Sequence, residues 1–279
     1  MLAMLYSIPT WALGLLVVGG FVAFGVTGTF FTMDWIHARW HSEHEVVGVV
    51  VTSITVLYAV LLAMIAVAAW QDYAALDNQV REEAAIAGNI YRDVEGFREP
   101  TRSNARKLIR EYVDVVVRDE WPLMRKGLQP TATNEIAANL LIAVSRFQPK
   151  NLGESDVHSE VFGQLNRLFE LRRLRQESVT LGLQPVLYVV LLLGAMVDMA
   201  ALWLLTARER RLGVLLAATN ATMLGLMVFL VIALDHPLMG EVSIQPTIFT
   251  VVGRRMDALE GTLLRNEPTP STESTRTSP

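Results

Sequence analysis

The chain has 279 residues, 52% of them hydrophobic, and a formal net charge of −4. This mildly acidic balance provides no basic surface for nucleic acid, and the absence of cysteine excludes disulfides, thiolate metal sites and cysteine nucleophiles. No P-loop, GxSxG, HExxH or dinucleotide-binding motif is present, so we predict neither an enzyme nor a cofactor. The distribution of the apolar residues carries more information.

Four apolar stretches come as two pairs that are separated by a long polar middle. They cover about residues 11–32, 46–70, 185–205 and 212–234. A helix needs about 20 apolar residues to cross ~30 Å of hydrocarbon, and none of these runs alternates with the period of two that is typical of strands. The sequence therefore predicts an all-α fold with four transmembrane helices. No Lys or Arg precedes the first stretch, so we expect a retained span rather than a signal peptide.

The first pair of spans, within residues 1–70, encloses a connector rich in histidine. His37, His41 and His44 fall at positions i, i+4 and i+7, which share one face of a helix, and two acidic residues lie nearby. Imidazoles with carboxylates can bind zinc, copper or nickel, and a histidine cluster can act as a pH sensor. The segment also fits a polar interfacial turn that two tryptophans anchor at the headgroups. All three interpretations remain open from the sequence.

The polar middle, residues 71–183, predicts a helical cytoplasmic domain inserted between spans two and three. No proline interrupts the second helix after Trp70 until Pro100, so we expect it to leave the membrane and continue to about residue 94. Further amphipathic stripes follow, and Pro122 is expected to end or kink one of these helices.

The second pair of spans lies within residues 184–234. A post-membrane segment with a short helix, residues 235–265, and a polar tail, residues 266–279, follow it. The tail is rich in proline, serine and threonine, a composition typical of disorder. Four spans place both termini and the large domain on one side of the membrane. Basic residues near the span ends are nearly balanced, and we place the large domain in the cytoplasm because it lacks secretory features.

Asp198 is the one charged residue well inside a predicted span, where an acid costs ~2.5–3.5 kcal/mol on insertion scales. The other spans carry hydroxyl or amide side chains at a similar depth: Thr27, Thr29, Thr52, Ser53, Thr55, Thr219 and Asn220. One interpretation is a hydrated vestibule or pore constriction, in which an acidic ring favours cations. The other is a buried polar network that holds the helices together.

Several short motifs follow one another along the chain. They are HEVVG before span two, LYAVLLA within it, then REEAA, EYVDVV and EWP, and ALDHPLMGEVSIQP after the last span. A chain with these motifs resembles a family of bacterial membrane proteins called bestrophin-like. The residues that match the family pattern are Trp70, Glu82, Glu83, Glu120, Trp121, Pro122, Asp235, His236, Pro237 and Gly240. His236 stands where the family usually has arginine.

The family's glutamates have two interpretations. Glu82, Glu83 and Glu120 can bind a metal or transfer protons. They can equally form ion pairs on helix surfaces or pack at a subunit interface.

The family's name implies a likeness to bestrophins, which are pentameric anion channels with four spans and a helical cytoplasmic domain between the second and third. By this resemblance we expect a homo-oligomer, a pentamer by analogy, in the bacterial inner membrane. Its partners would be the lipid bilayer and inorganic ions. An anion channel conflicts with an acidic ring at Asp198 unless burial keeps that carboxyl protonated. The acidic calcium clasp of bestrophins is not recognisable in this chain.

Our leading hypothesis is an ion channel or channel-like pore formed by several copies of the chain. The alternative is a non-conducting membrane scaffold or sensor that binds a partner through its cytoplasmic helices. A third hypothesis is a metal-handling protein that depends on the histidine cluster. An oligomer with a continuous axial path favours the first hypothesis, and a packed monomer or a dimer without such a path favours the second.

Overall fold

The computed structural model describes residues 6, 8–39, 44–180, 182–204 and 210–266, with side chains omitted at 33–39, 44–46 and 263–266. These residues form nine α-helices and contain no strand, which confirms the predicted all-α class. The helices are α1 Thr10–Arg39, α2 His44–Asp93, α3 Thr101–Val115, α4 Trp121–Met124, α5 Asn134–Ser145, α6 Leu152–Glu177, α7 Pro185–Leu204, α8 Arg210–Asp235 and α9 Thr247–Asn266.

Four of these helices, α1, α2, α7 and α8, are long and apolar enough to cross a membrane, which confirms the four predicted spans. Helix α2 has 50 residues and continues well beyond Trp70, as the sequence predicted. At 1.5 Å per residue it is about 75 Å long, more than twice the thickness of the hydrocarbon core.

The chain forms two compact units. The first, which we call the bundle unit, contains residues up to 79, residues 122–130 and residues 173–245. The second, the helical unit, contains residues 80–121, residues 131–172 and the chain from residue 246 onward. Each unit is assembled from three separate chain segments, so sequence continuity alone does not define it.

The core of the bundle unit lies between α2, α7 and α8. Its buried members are Tyr58, Leu62, Ile65, Leu191, Ala195, Met199, Ala221, Leu224, Val228 and Val231. Helix α1 packs closely on α8 through glycine, since a Cβ atom at Gly225 would lie 2.9 Å from the Cα atom of Val18. Small residues permit such close approach where no water is present to drive association.

Pro122 follows a local change of helix type. The five residues Val116–Glu120 form a π-helical turn directly before α4, and Pro122 is the second residue of α4. Proline has no N–H to donate, and its ring clashes with the carbonyl four residues earlier in a regular α-helix. The wider turn accommodates both effects. Helix α4 ends at Met124, and Gly127, with φ of 74°, turns the chain away.

Candidate functional site

Asp198 is held by donors from two neighbouring helices. Its side chain is buried, with 1% of the residue exposed. One carboxylate oxygen accepts a hydrogen bond from Thr55 Oγ1 of α2 at 2.7 Å, and the other accepts one from Asn220 Nδ2 of α8 at 3.0 Å. The carboxylate therefore links α2, α7 and α8 through three polar side chains.

The other residues of the predicted polar layer do not join this network. Thr29 is fully buried, and its hydroxyl donates to the carbonyl of Gly25 in its own helix at 2.9 Å. The remaining four, Thr27, Thr52, Ser53 and Thr219, are exposed on the surface of the chain. The hydroxyls of Thr52, Ser53 and Thr219 donate to carbonyls four residues earlier in their own helices. Because these hydroxyls are hydrogen-bonded within their own helices, they do not require a partner in another helix.

Within the membrane, α2 buries only a narrow seam against the rest of the chain. The seam is formed by Val51, Tyr58, Leu62, Ile65 and Ala69. The opposite side exposes a row of short side chains at heptad spacing, which we call the valine row: Val49, Ser53, Val56, Val60, Ala63 and Val67. A third face exposes the larger side chains of Leu57, Leu61 and Met64. The valine row was missed in the sequence, although its i, i+4, i+7 spacing is readable there.

Asp235 and His236 lie in a second polar cluster, at the end of α8. Asp235 accepts hydrogen bonds from the backbone N–H of Leu183 and from the hydroxyl of Tyr188, the latter at 2.6 Å. It thereby connects the end of α8 to the start of α7. His236 is also buried, and its Nε2 atom lies 3.3 Å from Asp235 Oδ2. A Cβ atom at Gly182 would lie 2.7 Å from His236 Cε1, so the histidine ring fits only because residue 182 has no side chain.

Tyr6 completes this cluster from the N-terminal segment. Its ring meets the His236 ring edge-on at a centroid distance of 5.2 Å, and its hydroxyl donates to the carbonyl of Ile232 at 2.7 Å. Burial and the nearby charge of Asp235 raise the pKa of Tyr6 above its ordinary value. The phenol therefore stays neutral and acts as a hydrogen-bond donor at physiological pH.

The last residue of α8 and the chain after it, residues 235–245, form what we call the signature loop, which contacts several helices of the bundle unit. The carboxylate of Glu241 accepts the N–H of Thr10 at 3.0 Å and so caps the start of α1. The carbonyl of Val242 accepts the hydroxyl of Tyr73 from α2 at 3.3 Å. A bond from the N–H of Ile244 to the carbonyl of Pro237, at 2.8 Å, closes the loop, and Gly240 adopts φ of 76° within it.

A cleft of about 350 Å³ lies beside this loop within the bundle unit. Its polar lining residues are Asp72, Gln79, Ser178 and Asp235. No group of three or more His, Asp or Glu side chains is placed to hold a metal ion among the residues that the structure describes. The side chains of His37, His41 and His44 lie outside the described residues, so the histidine hypotheses remain predictions.

The family's glutamates in the helical unit are engaged in packing and ion pairs. Glu83 is fully buried and accepts the hydroxyl of Tyr112. Glu120, also fully buried, accepts the N–H of Thr133 at 3.1 Å. Glu82 is exposed and forms a two-point ion pair with Arg167, at 2.8 Å and 3.1 Å. These contacts favour the structural interpretation of the glutamates over acid–base chemistry.

The family's two tryptophans occupy different environments. Trp121 is buried in the helical unit and packs against Phe249 at a ring-centroid distance of 6.0 Å. Trp70 is exposed and stacks on Tyr73 at 6.1 Å. Trp11 at the start of α1 is exposed as well. Exposed tryptophans at the ends of apolar stretches are typical of the membrane interface.

Four apolar helices, a buried intramembrane network and interfacial tryptophans define an all-helical membrane protein. The chain belongs to the bestrophin-like family, since the family's Bestrophin-like domain matches residues 14–249. This match confirms the resemblance drawn from the motifs.

Two solved structures share the fold. One is a crystal structure described as a membrane protein, with a TM-score of 0.67 and 12% identity, covering 88% of this chain and 98% of that one. The other is a bacterial bestrophin homolog from Klebsiella pneumoniae, with a TM-score of 0.61 and 12% identity, covering 90% of this chain and 98% of that one. Both carry a point mutation. No curated protein matches the chain.

Proposed function

We propose that the protein is an ion channel in which several copies of the chain surround a central path lined by the valine row of α2. The observation that carries this proposal is the division of α2 into three faces. One face is buried in the chain's own core, one exposes leucine and methionine, and one exposes valine, alanine and Ser53. Long apolar side chains suit lipid, whereas the valine row carries shorter side chains and includes Ser53 and Ala63, which are of the small kind that permits helices to approach closely around an axis.

In such a ring each residue of the valine row repeats once per copy. Rings of Val56 and Val60 form an apolar constriction, and constrictions of this kind gate ion flow by excluding water when they are narrow. Ser53 provides a hydroxyl ring between the rings of Val49 and Val56. The bestrophin likeness supports a pentamer by analogy.

Asp198 has a supporting role in this proposal. Its bonds to Thr55 and Asn220 hold α2 against α7 and α8 on the side away from the valine row. Because the carboxylate is engaged inside a single copy of the chain, it need not form an acidic ring on the axis. The conflict between an acidic ring and anion flow then disappears.

We further propose that the helices between spans two and three form a cytoplasmic domain and that the protein resides in the bacterial inner membrane. The chain order of α3 to α6, after α2 and before α7, supports this arrangement.

The test compares two neighbouring single-cysteine variants, Val60→Cys on the valine row and Leu61→Cys on the leucine and methionine face. The native chain has no cysteine, so each variant carries a single reactive thiol. We expect a small charged thiol reagent to reduce ion flux into proteoliposomes for the Val60 variant and to leave the Leu61 variant unchanged. Electron microscopy of the detergent-extracted particle gives the subunit number.

Two outcomes count against the proposal. Block of the Leu61 variant, or an unaffected Val60 variant, would show that another face lines the path. An intact oligomer without flux for any inorganic ion would favour the alternative function, a scaffold or sensor that binds a partner through its cytoplasmic helices.

A further inference from the structure

We propose that a groove between α1, α7 and α8 binds one acyl chain of a membrane lipid. The groove has a volume of about 480 Å³, and all eleven of its lining residues are apolar. Leu16, Gly20 and Phe24 form the α1 side, and Leu192 and Met196 form the α7 side. The inference depends on a single copy of the chain and does not rest on the proposed channel.

The floor of the groove is closed. Ala195, Met199 and Val228 line it and are at least 98% buried, and all three also belong to the core of the bundle unit. The groove is therefore a depression in a packed surface, and an occupant must enter from the outside.

The length of the groove along α1 matches the thickness of one leaflet of a bilayer. Its α1 side runs from Leu16 to Phe24, which is about 12 Å at 1.5 Å per residue. It begins five residues after Trp11, whose exposed ring is typical of the membrane interface. Half of a ~30 Å hydrocarbon core is ~15 Å. A lipid chain that descends from this interface therefore runs along the whole groove.

Gly20 keeps the groove open without being required by the chain's own packing. A Cβ atom at Gly20 would meet no atom within 4 Å. At Gly25 in the same helix it would lie 3.1 Å from the Cβ atom of Ala221, so that glycine serves internal packing. A side chain at position 20 would instead extend into the groove, so glycine leaves that space free for an occupant.

A flexible acyl chain fits this space better than a helix from a second copy. A helix with its side chains is about 10–12 Å wide, and helices that pack closely in lipid are enriched in small residues along the interface. Here Phe21, Phe24, Leu192 and Met196 line the groove around the single glycine. These large side chains keep a second backbone at a distance, whereas a single hydrocarbon chain can lie between them.

The experiment uses a phospholipid with a photoactivatable diazirine in its tail, reconstituted with the full-length protein. We expect cross-links to concentrate in the peptides that contain Leu16–Phe24 and Leu192–Met199. Gly20→Leu fills the groove and should reduce this labelling at least about tenfold, the change for ~1.4 kcal/mol of lost binding. Gly19→Leu is the matched control, because that position also has no atom within 4 Å of a Cβ and does not line the groove.

Equal melting temperatures of the two leucine variants would establish that both fold. The proposal is overturned if Gly20→Leu labels like the native protein, or if labelling is spread evenly over all four spans, as expected for unspecific surrounding lipid. Efficient disulfide formation between two copies of Gly20→Cys in the membrane would also overturn it, since a second copy would then occupy the groove.

Discussion

At the scale of single residues, the bundle unit is organised by buried polar side chains whose partners lie far away in the sequence. Asp198 receives bonds from Thr55 and Asn220, and Asp235 receives them from Leu183 and Tyr188. Hydrogen bonds between membrane helices contribute about 0.6 kcal/mol on average and up to ~1.7 kcal/mol. Each cluster is therefore a modest source of stability and a strong source of specificity, because a shifted helix would leave a buried donor or acceptor unpaired.

We expect Asp198→Leu to lower the melting temperature of the detergent-extracted protein, because it leaves the donors of Thr55 and Asn220 unpaired. Thr55→Val removes one bond and should destabilise by about 0.6–1.7 kcal/mol. Thr52→Val is the control: its hydroxyl is exposed and bonds only the carbonyl of Gly48, so the effect should be small. A leucine variant at position 198 with native stability would refute the network interpretation.

At the scale of helices, glycines in α1 and α8 have separate roles. Cβ atoms at Gly25 and Gly225 would crowd Ala221 and Val18 respectively, and one at Gly28 would overlap the ring of Trp203. Gly19 and Gly20 meet no neighbour. The first group sets the distance between helices, and Gly20 leaves space for the proposed lipid chain.

Gly225→Ala should therefore destabilise the bundle unit by about 1–3 kcal/mol, the typical range for overpacking. The added methyl would meet the backbone of Val18, which can give way only if α1 moves as a whole. Gly19→Ala should be neutral or slightly stabilising, since alanine favours the helix and touches nothing. Thermal unfolding of both variants measures the difference, and equal melting temperatures would show that α1 and α8 are not closely packed.

At the scale of the whole molecule, the even number of spans sets the topology. Both termini and the segment between α2 and α7 should lie on one side of the membrane, and the two short connectors on the other. Lys and Arg are nearly equally frequent near the span ends on the two sides of the membrane, and accessibility to a thiol reagent distinguishes the two orientations.

We expect cysteines introduced at Thr101 and Ser271 to react with an impermeant thiol reagent only from the cytoplasmic side. A cysteine at Ser42 should react from outside intact cells. Labelling of the Thr101 and Ser42 variants from the same side would contradict the four-span topology. Labelling of Thr101 from outside and Ser42 from inside would keep that topology and reverse the orientation.

The sequence by itself determined the number of spans, the continuation of α2 past Trp70 and the family, because these depend on runs and motifs that are local in the chain. A bilayer imposes a length requirement that can be read in one dimension. The sequence also placed Asp198 at a depth in the membrane similar to that of several polar residues, because depth follows from counting residues along each helix.

Only the tertiary structure decided which polar residues meet. Thr52 and Thr55 are three positions apart, yet Thr55 reaches Asp198 while Thr52 is exposed. The rotation of α2 about its axis makes this choice, and that rotation is set by the packing of Tyr58, Leu62 and Ile65 against α7 and α8. The contacts of His236 with Tyr6 and beside Gly182 were equally out of reach of the sequence. Such pairings depend on how several helices pack at once, which no local pattern in the chain encodes.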